Sequence, residues 1–242
     1  YRFGAGEEVN GHSFGNLFIT AMSEVTGSFE RALAVSGQVL AIGGKVLPST
    51  LEDVTLMADI RKQVGGIVHR VEGESSIPRE IGAIERIQLH PSDVSAHPQA
   101  LKAILSAELI VLGPGSLYTS VIPNLLVGDI ASAVENSRGL KVYVSNLATQ
   151  IGETEKFSLS MHTQVINQYA DESFTLVLSN NRYVGKLLPD MAWVKASTDL
   201  IDGWEIIARD LVDETRPWRH DSKKLAVALM GLLKDRAVMA VL

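Results

Sequence analysis

A short apolar run followed by a glycine-rich loop constrains the fold of this chain more than any other feature. Leu109–Leu112 contains no polar residue, which is typical of a strand buried on both faces. The run ends at Gly113-Pro114-Gly115-Ser116, and the pattern then predicts a helix over residues 130–136 and a second apolar strand over 142–144. Strand, loop, helix and strand in this order predict a βαβ unit in a parallel sheet.

The rest of the chain extends this pattern. Strands and helices alternate from residue 98 onward, whereas the stretch from 46 to 71 is rich in strands. We therefore expect an α/β fold: a three-layer, mainly parallel Rossmann-like sheet with helices on both faces and some antiparallel strands. The predicted helices cover residues 17–25, 28–40, 98–107, 158–169 and 222–234, and the further strands cover 46–47, 54–60, 66–71, 84–89 and 174–178.

Composition excludes several classes of protein. Of the 242 residues, 46% are hydrophobic and 21% are charged, which is ordinary for a globular chain. The absence of cysteine excludes disulfides, a thiolate nucleophile and cysteine-ligated metals. A net charge of −6 gives no support for nucleic-acid binding, and the longest apolar run, 225–233, is too short to span a bilayer. We expect no nucleic-acid partner, no membrane span and a cytoplasmic location.

The loop after the first buried strand is a candidate anion site. In an open α/β sheet, ligands bind beyond the carboxyl ends of the strands. Gly113 and Gly115 would let backbone N–H groups approach a phosphate, and Ser116 and Thr119 add hydroxyl groups. The alternative is a plain glycine turn between a strand and a helix. The loop is not a Walker loop, because no Gly-Lys-Ser/Thr follows.

Two further loops are candidates for ligand binding. The loop over residues 145–154 carries Asn146, Thr149 and Gln150, whose neutral groups suit a base, a ribose or a sugar; the alternative is a polar loop that caps the next helix. Because this loop and the glycine-rich one follow neighbouring strands, we expect them to share a cleft. The third, from Asn10 to Asn16, contains His12, which could donate to a phosphate or act as an acid or base near neutral pH; the alternative is a capping loop with His12 facing solvent.

No catalytic or metal-binding constellation emerges from residue spacing. None of the histidines has a metal-ligand spacing, and His220 is a weak candidate in front of a helix whose basic neighbours, including Arg219, predict a solvated helix start. Glu52-Asp53 and the pair Glu72 and Glu74 could hold magnesium through a phosphate, although such residues are more often exposed strand-end charges. Ser116 lacks the Gly-x-Ser-x-Gly pattern, so acyl transfer is poorly supported and the catalytic residues stay unknown.

Several ordered motifs together resemble the CofD-like superfamily, in its gluconeogenesis-factor (YvcK-type) branch. The segment 10–17 is similar to the Gly-His-Ser-x-Gly-Asn signature of that branch, and the stretch 113–130 with Pro123-Asn124-Leu125-Leu126 is the most specific match. The remaining matches are 46–54, 72–78, 142–154 and 221–226.

The chain also departs from this family pattern. Ser145, Ala148 and Met161 stand where the branch often has Cys, Met and Asp. The family's glycine-rich first βα turn and its Asp-Asp-Gly-Gly-Ser segment do not occur in this sequence. We therefore expect residues 1–242 to be a single CofD-like α/β domain with its N-terminal part missing.

The resemblance implies a regulatory protein that binds a nucleotide sugar, namely a uridine diphosphate sugar, and supports growth on gluconeogenic carbon and control of cell shape and cell wall. One alternative is a magnesium-dependent 2-phospho-L-lactate transferase of deazaflavin coenzyme biosynthesis; another is a scaffold that binds nothing. The only cofactor considered is magnesium arriving with a nucleotide, and homodimerisation is a further expectation. The expected ligand-binding residues are Gly11, His12, Asn16, Gly113, Pro114, Gly115, Ser116, Tyr118, Thr119, Asn146, Thr149 and Gln150.

Overall fold

A computed structural model describes residues 14–62, 65–196 and 203–239. Its elements follow in the order of the chain. The helices are α1 (Phe14–Thr26), α2 (Phe29–Val39), α3 (Pro98–Leu105), α4 (Ile122–Leu125), α5 (Gly128–Asn136), α6 (Leu159–Ala170) and α7 (Ser222–Met239), with a 3-10 turn at Ile77–Arg79 and a π-helical turn at Leu117–Val121. The strands are β1 (Thr55–Arg61), β2 (Val68–Glu72), β3 (Ala83–His90), β4 (Leu109–Leu112), β5 (Leu140–Val144), β6 (Leu176–Asn180) and β7 (Glu205–Arg209).

A four-stranded parallel sheet forms the centre of the fold. Its strand order is β4-β5-β6-β7, and Ile110 lies opposite Lys141 in parallel register. This arrangement confirms the predicted α/β class and the βαβ unit. β4 is not buried on both faces, however, because it forms one edge of the sheet and Val111 is 36% exposed. The fully buried strand is β6, which has neighbours on both sides.

The antiparallel strands form a separate sheet instead of extending the parallel one. Its strand order is β2-β1-β3, with Met57 opposite Glu72 and Ala58 opposite Ile87. The predicted strand at residues 46–47 is wrong, since this segment pairs with no strand in the structure. The apolar side chain of Leu47 packs against the hydrophobic core from outside the sheet, which accounts for the apolar pattern at this position.

Apolar side chains cover both faces of the parallel sheet. Tyr143 and Val177 point into a core that is shared with α5, α6 and the antiparallel sheet. Val144 and Leu178 belong to a second cluster, which Leu225 and other apolar residues of α7 cover. The alternation along β5 and β6 therefore places helices on both faces, as the sequence predicted.

Local signals set the ends of several helices. The Ser28 side chain accepts a hydrogen bond from the Arg31 N–H and caps α2, and Ser158 does the same for Met161 at the start of α6. At α7 the cap is Asp221, whose carboxylate accepts from the Lys224 N–H at 2.9 Å. No local sequence pattern predicted β7, the π-helical turn or α4. These elements lie in stretches without a clear apolar period.

None of the helices in the described part of the chain is, by itself, long and apolar enough to cross a membrane. Within the described residues, one bent pair of helical segments, Leu117–Leu125 with Gly128–Asn136, reaches the required length and composition.

Candidate functional site

A cleft of about 550 Å³ opens at the carboxyl ends of β4 and β5. The structure thus brings the glycine-rich loop and the loop after β5 to one place. A third wall comes from the segment that leads into α7. The lining residues are Pro114, Gly115, Ser116, Asn146, Leu147, Ala148, Gln150, Met191, Trp218, Arg219, His220, Ser222 and Leu225.

A chain of hydrogen bonds joins the first two walls of the cleft. Asn146 Nδ2 donates to the Gly115 carbonyl oxygen at 3.0 Å and to Gln150 Oε1 at 3.1 Å. Gln150 Nε2 in turn donates to Ser116 Oγ at 2.8 Å. Both N–H groups of Asn146 are therefore engaged within the protein, and the two loops are held in fixed positions relative to each other.

A carboxylate of the chain itself lies where the sequence predicted a bound phosphate. Glu153 is buried, and its Oε2 accepts from the backbone N–H groups of Tyr118 at 2.9 Å and Thr119 at 3.3 Å. Its Oε1 accepts from the Thr119 hydroxyl at 2.7 Å. These amides begin the π-helical turn, where unpaired N–H groups attract an anion. Tyr118 and Thr119 consequently do not present these amides to a ligand, and only the part of the loop up to Ser116 lines the cleft.

Thr149 holds a neighbouring segment in place. Its backbone N–H donates to the Ala192 carbonyl at 2.8 Å, and its hydroxyl accepts from the Ala192 N–H at 2.9 Å. Thr149 is 2% exposed, and the contact positions Met191, which lines the cleft. In this geometry Thr149 supports the wall of the cleft but does not face a ligand.

The third predicted loop is only partly within the described residues. Gly11 and His12 lie outside them, so the structure places neither residue. Asn16 lies in the first turn of α1 and does not line the cleft between the two sheet-end loops.

Two glycines are required by the backbone geometry around the cleft. Gly113 has φ +82°, and a Cβ on it would lie 3.0 Å from the Val144 carbonyl oxygen. Gly152 has φ +80°, and a Cβ there would lie 2.0 Å from the Pro78 carbonyl oxygen. Only glycine adopts this backbone conformation without strain and allows such close approach.

The wall in front of α7 was not predicted from the sequence. Trp218, which is 38% exposed, Arg219 and His220 all line the cleft. The sequence predicted a solvated helix start at these residues instead of a wall of the cleft. The only local signal was the pair Arg219-His220 directly before a helix cap. No local pattern shows that the start of α7 lies against the end of β5, because the two are far apart along the chain.

The electrostatic character of the cleft comes from a single cation. No Asp or Glu is among the described residues that line it, and Arg219 is the one lining residue with a full charge. Burial lowers the pKa of His220 to about 4, opposed in part by a hydrogen bond to the backbone of Ser145, so the ring is neutral near pH 7. Nearby Lys224 is neutralised by Asp210, whose two carboxylate oxygens each lie 3.0 Å from Nζ.

The residues of the cleft do not fit a magnesium ion held by the protein. Magnesium prefers carboxylate oxygens, and the described residues that line the cleft present none. Among the described residues no group of three or more His, Asp or Glu could hold a metal. Glu52 instead accepts a hydrogen bond from the Ser95 N–H at 2.7 Å, and Glu72 lies on the edge strand β2.

Comparison with known proteins identifies the family of this chain. The model of the family described as 2-phospho-L-lactate transferase CofD matches residues 1–236. The chain belongs to the CofD family.

Relatives of this CofD-family chain carry a different name. The protein named "Gluconeogenesis factor" from Listeria innocua is 40% identical over 243 residues, which cover 98% of this chain and 74% of that protein. The protein of the same name from Bacillus subtilis is 35% identical, covering 97% and 76%. A Nostoc relative is 51% identical over 172 residues, which are 71% of this chain but 37% of that protein. The gluconeogenesis-factor branch of the CofD family is thus the one this chain resembles.

A solved structure supports the same conclusion about the fold. A Bacillus halodurans protein described as a member of the UPF0052 family superposes with a TM-score of 0.83 at 34% identity. The superposition covers 95% of this CofD-family chain and 76% of the other.

Proposed function

We propose that this CofD-family chain is a regulatory protein that binds a uridine diphosphate sugar and does not turn it over. The observation that carries the proposal is the character of the cleft: one guanidinium, several neutral polar groups and no acidic residue among the described lining. Such a lining suits recognition of an uncharged sugar or base attached to a diphosphate. It offers no carboxylate for proton transfer or for metal binding.

The diphosphate would lie between the third wall and the glycine-rich loop. Arg219 supplies a full positive charge, and it lies just before the 18-residue helix α7, whose first turn is capped by the Asp221 carboxylate. The backbone around Gly115 lies on the opposite side of the same cleft. The negative charge of a diphosphate bound here would therefore be met by the guanidinium of Arg219 and by backbone N–H groups of the loop.

The uncharged parts of the ligand would contact the remaining lining. Trp218 exposes part of its ring to the cleft, and base–aromatic stacking contributes about 1–3 kcal/mol. Gln150 and Ser116 supply neutral hydrogen-bonding groups. His220, with its pKa lowered to about 4 by burial, is neutral and a weak base near pH 7.

The biological role proposed for this binding is regulatory. Relatives with 35% to 40% identity over nearly the whole chain are named for gluconeogenesis. We infer that the ligand-bound protein supports growth on gluconeogenic carbon and normal cell shape. A strain that lacks the gene should recover both when it carries the wild-type gene but not when it carries a variant that cannot bind the ligand.

The second candidate function is 2-phospho-L-lactate transfer, because the matching family model bears that description. This reaction would use a guanosine diphosphate-linked donor and magnesium. The described residues that line the cleft supply no carboxylate for such a metal, whereas Arg219 and the neutral polar groups suit the binding function.

Calorimetric titration tests the proposal directly. The protein is titrated with uridine diphosphate glucose and with guanosine diphosphate, with and without magnesium, and free nucleotide is followed by chromatography. We expect the uridine ligand to bind and to remain intact. Steady release of uridine diphosphate would favour a transferase, and no binding of either nucleotide would favour a scaffold.

A variant pair locates the diphosphate. Replacing Arg219 by Met should weaken binding about 10- to 100-fold, because hydrogen bonds to charged groups contribute about 1.5–3 kcal/mol. Arg31→Met, on the exposed surface of α2, is the matched control and should bind as the wild type does. Equal affinities for the two variants would place the diphosphate elsewhere.

A further inference from the structure

The hydrogen bonds between the first two walls of the cleft have a fixed direction. Asn146 Nδ2 donates to the Gly115 carbonyl oxygen at 3.0 Å, and a carbonyl oxygen can only accept. The nitrogen of the Asn146 amide therefore lies on this side, and its second hydrogen goes to Gln150 Oε1 at 3.1 Å. One backbone carbonyl thus sets the orientation of both amides.

The last bond of the chain leaves a hydroxyl hydrogen over. Because Gln150 turns its oxygen towards Asn146, its nitrogen Nε2 faces Ser116 Oγ, 2.8 Å away. Ser116 Oγ accepts this bond, so its own hydrogen points elsewhere. In the described part of the chain, no residue accepts a hydrogen bond from the Ser116 hydroxyl.

This hydroxyl lies where the two walls of the cleft meet. Ser116 and Gln150 both line the cleft, and neither residue is fully buried. A hydroxyl that accepts a hydrogen bond from an amide becomes a better donor, because successive hydrogen bonds polarise one another. Ser116 therefore offers its hydrogen to a ligand, and the ligand must supply the acceptor.

We propose that Asn146 and Gln150 are positioning residues, which direct the Ser116 hydroxyl to donate a hydrogen bond to an oxygen of the ligand. The inference rests on the proposed binding of a uridine diphosphate sugar and specifies the direction of one of its contacts. The oxygen belongs to the diphosphate, since Ser116 follows Gly115 in the glycine-rich loop, or to a carbonyl group of the base. Both are acceptors without a hydrogen of their own.

Calorimetric titration with uridine diphosphate measures this contact. Ser116→Ala should weaken binding about 5- to 10-fold, as expected for the loss of one hydrogen bond. Ser120→Ala is the matched control, because exposed Ser120 lies four residues later and does not line the cleft, so it should bind as the wild type does.

A second pair of variants isolates the hydroxyl group. Threonine and valine have the same shape and differ in the hydroxyl alone. Ser116→Thr should retain most of the affinity, whereas Ser116→Val should lose as much as Ser116→Ala. Thermal unfolding of each variant verifies that it is folded, and the Thr and Val pair gives the same comparison if the alanine variant is not.

Gln150→Glu tests the direction of the chain. A glutamate accepts from Asn146 as the glutamine does, but its second oxygen would take the hydrogen of Ser116. The variant should therefore lose the same contact, and its negative charge should weaken binding further. Because Ser116→Ala has already removed the hydrogen, Gln150→Glu should cost about 5- to 10-fold less affinity in that background than in the wild type.

Competition by inorganic pyrophosphate identifies the oxygen, because pyrophosphate carries the diphosphate oxygens but no carbonyl group. If Ser116 contacts the diphosphate, Ser116→Ala should weaken pyrophosphate and uridine diphosphate by the same factor. If it contacts the base, the affinity for pyrophosphate should not change.

The outcomes distinguish this inference from the proposed function. A folded Ser116→Ala protein that binds uridine diphosphate as tightly as the wild type overturns the inference alone. So do equal losses on Gln150→Glu in the two backgrounds, which a purely structural role of Gln150 would give. A wild type that does not bind uridine diphosphate overturns the proposed function and this inference with it.

Discussion

Glu153 connects the two loops that frame the cleft, and its removal is the most informative perturbation of the structure. Its carboxylate accepts hydrogen bonds from the backbone N–H groups of Tyr118 and Thr119 and from the Thr119 hydroxyl. All of these groups are buried. Glu153→Ala would leave three donors without an acceptor and would release the start of the π-helical turn.

The magnitude follows from the cost of unpaired buried donors. Each costs about 1–3 kcal/mol, and the hydroxyl can rotate towards another partner, so the two amides dominate. We expect Glu153→Ala to lower the free energy of unfolding by about 3–5 kcal/mol, a large share of the roughly 5–15 kcal/mol typical of a domain. Glu153→Gln keeps an oxygen for the amides and an N–H₂ for the rotated hydroxyl, so it should cost only about 1 kcal/mol.

Equilibrium urea unfolding measures these differences. Glu155→Ala is the control, because exposed Glu155 accepts a single bond, from the Gly152 N–H at 2.7 Å. Its effect should be within about 1 kcal/mol. If Glu153→Ala lowers the free energy of unfolding by no more than about 1 kcal/mol, the limit expected for the control, the reasoning is refuted. Equal losses in Glu153→Gln and Glu153→Ala would show that charge, and not the supply of acceptors, is decisive.

Three further predictions concern glycine geometry, pH and ligand binding. Gly152→Ala should lower the free energy of unfolding in urea by several kcal/mol because its Cβ would lie 2.0 Å from the Pro78 carbonyl oxygen, whereas Gly27→Ala, also at positive φ but with nothing within 4 Å, should cost only about 1 kcal/mol. The folded-state pKa of His220 is lowered to about 4, so the histidine of the unfolded chain takes up a proton first as pH falls below about 6.5. The free energy of unfolding should therefore decrease between pH 7 and pH 5 by up to about 2 kcal/mol. Urea titrations of His220→Gln at the two pH values should show a smaller decrease. An identical pH dependence in that variant would contradict the assignment. Gly115→Val should weaken binding of uridine diphosphate in calorimetry, because a Cβ on Gly115 would lie 3.3 Å from Val121 Cγ2 and 3.4 Å from Ser120 Cβ and the loop that lines the cleft would have to shift; unchanged affinity would argue against a phosphate there.

The sequence by itself determined the elements whose signals are local. The apolar run of β4, the glycine-rich loop and the strand at β5 predicted a parallel βαβ unit, and Ser28 and Ser158 marked the starts of two helices. These signals suffice because a helix cap or an apolar strand depends on residues that are close together in the chain. The meeting of the two sheet-end loops followed from topology alone, since parallel strands end at the same edge.

Only the tertiary structure decided the partners within the site. Glu153 accepts hydrogen bonds from the backbone N–H groups of Tyr118 and Thr119, which lie 35 and 34 residues earlier in the chain. Whether an anion-binding turn is filled by a ligand or by the chain's own carboxylate depends on such a distant contact, and the turn itself has the same sequence in either case.

The third wall has the same explanation. Trp218, Arg219 and His220 resemble an ordinary helix entrance in the sequence, and they become part of the cleft because α7 packs on the face of the sheet formed by Val144 and Leu178. Because burial of that apolar face sets the position of α7, the segment before α7 lies at the carboxyl end of β5. The sequence therefore determined what kinds of chemical groups were available, while packing decided which of them line the cleft, because non-directional apolar contacts act between residues far apart in the chain.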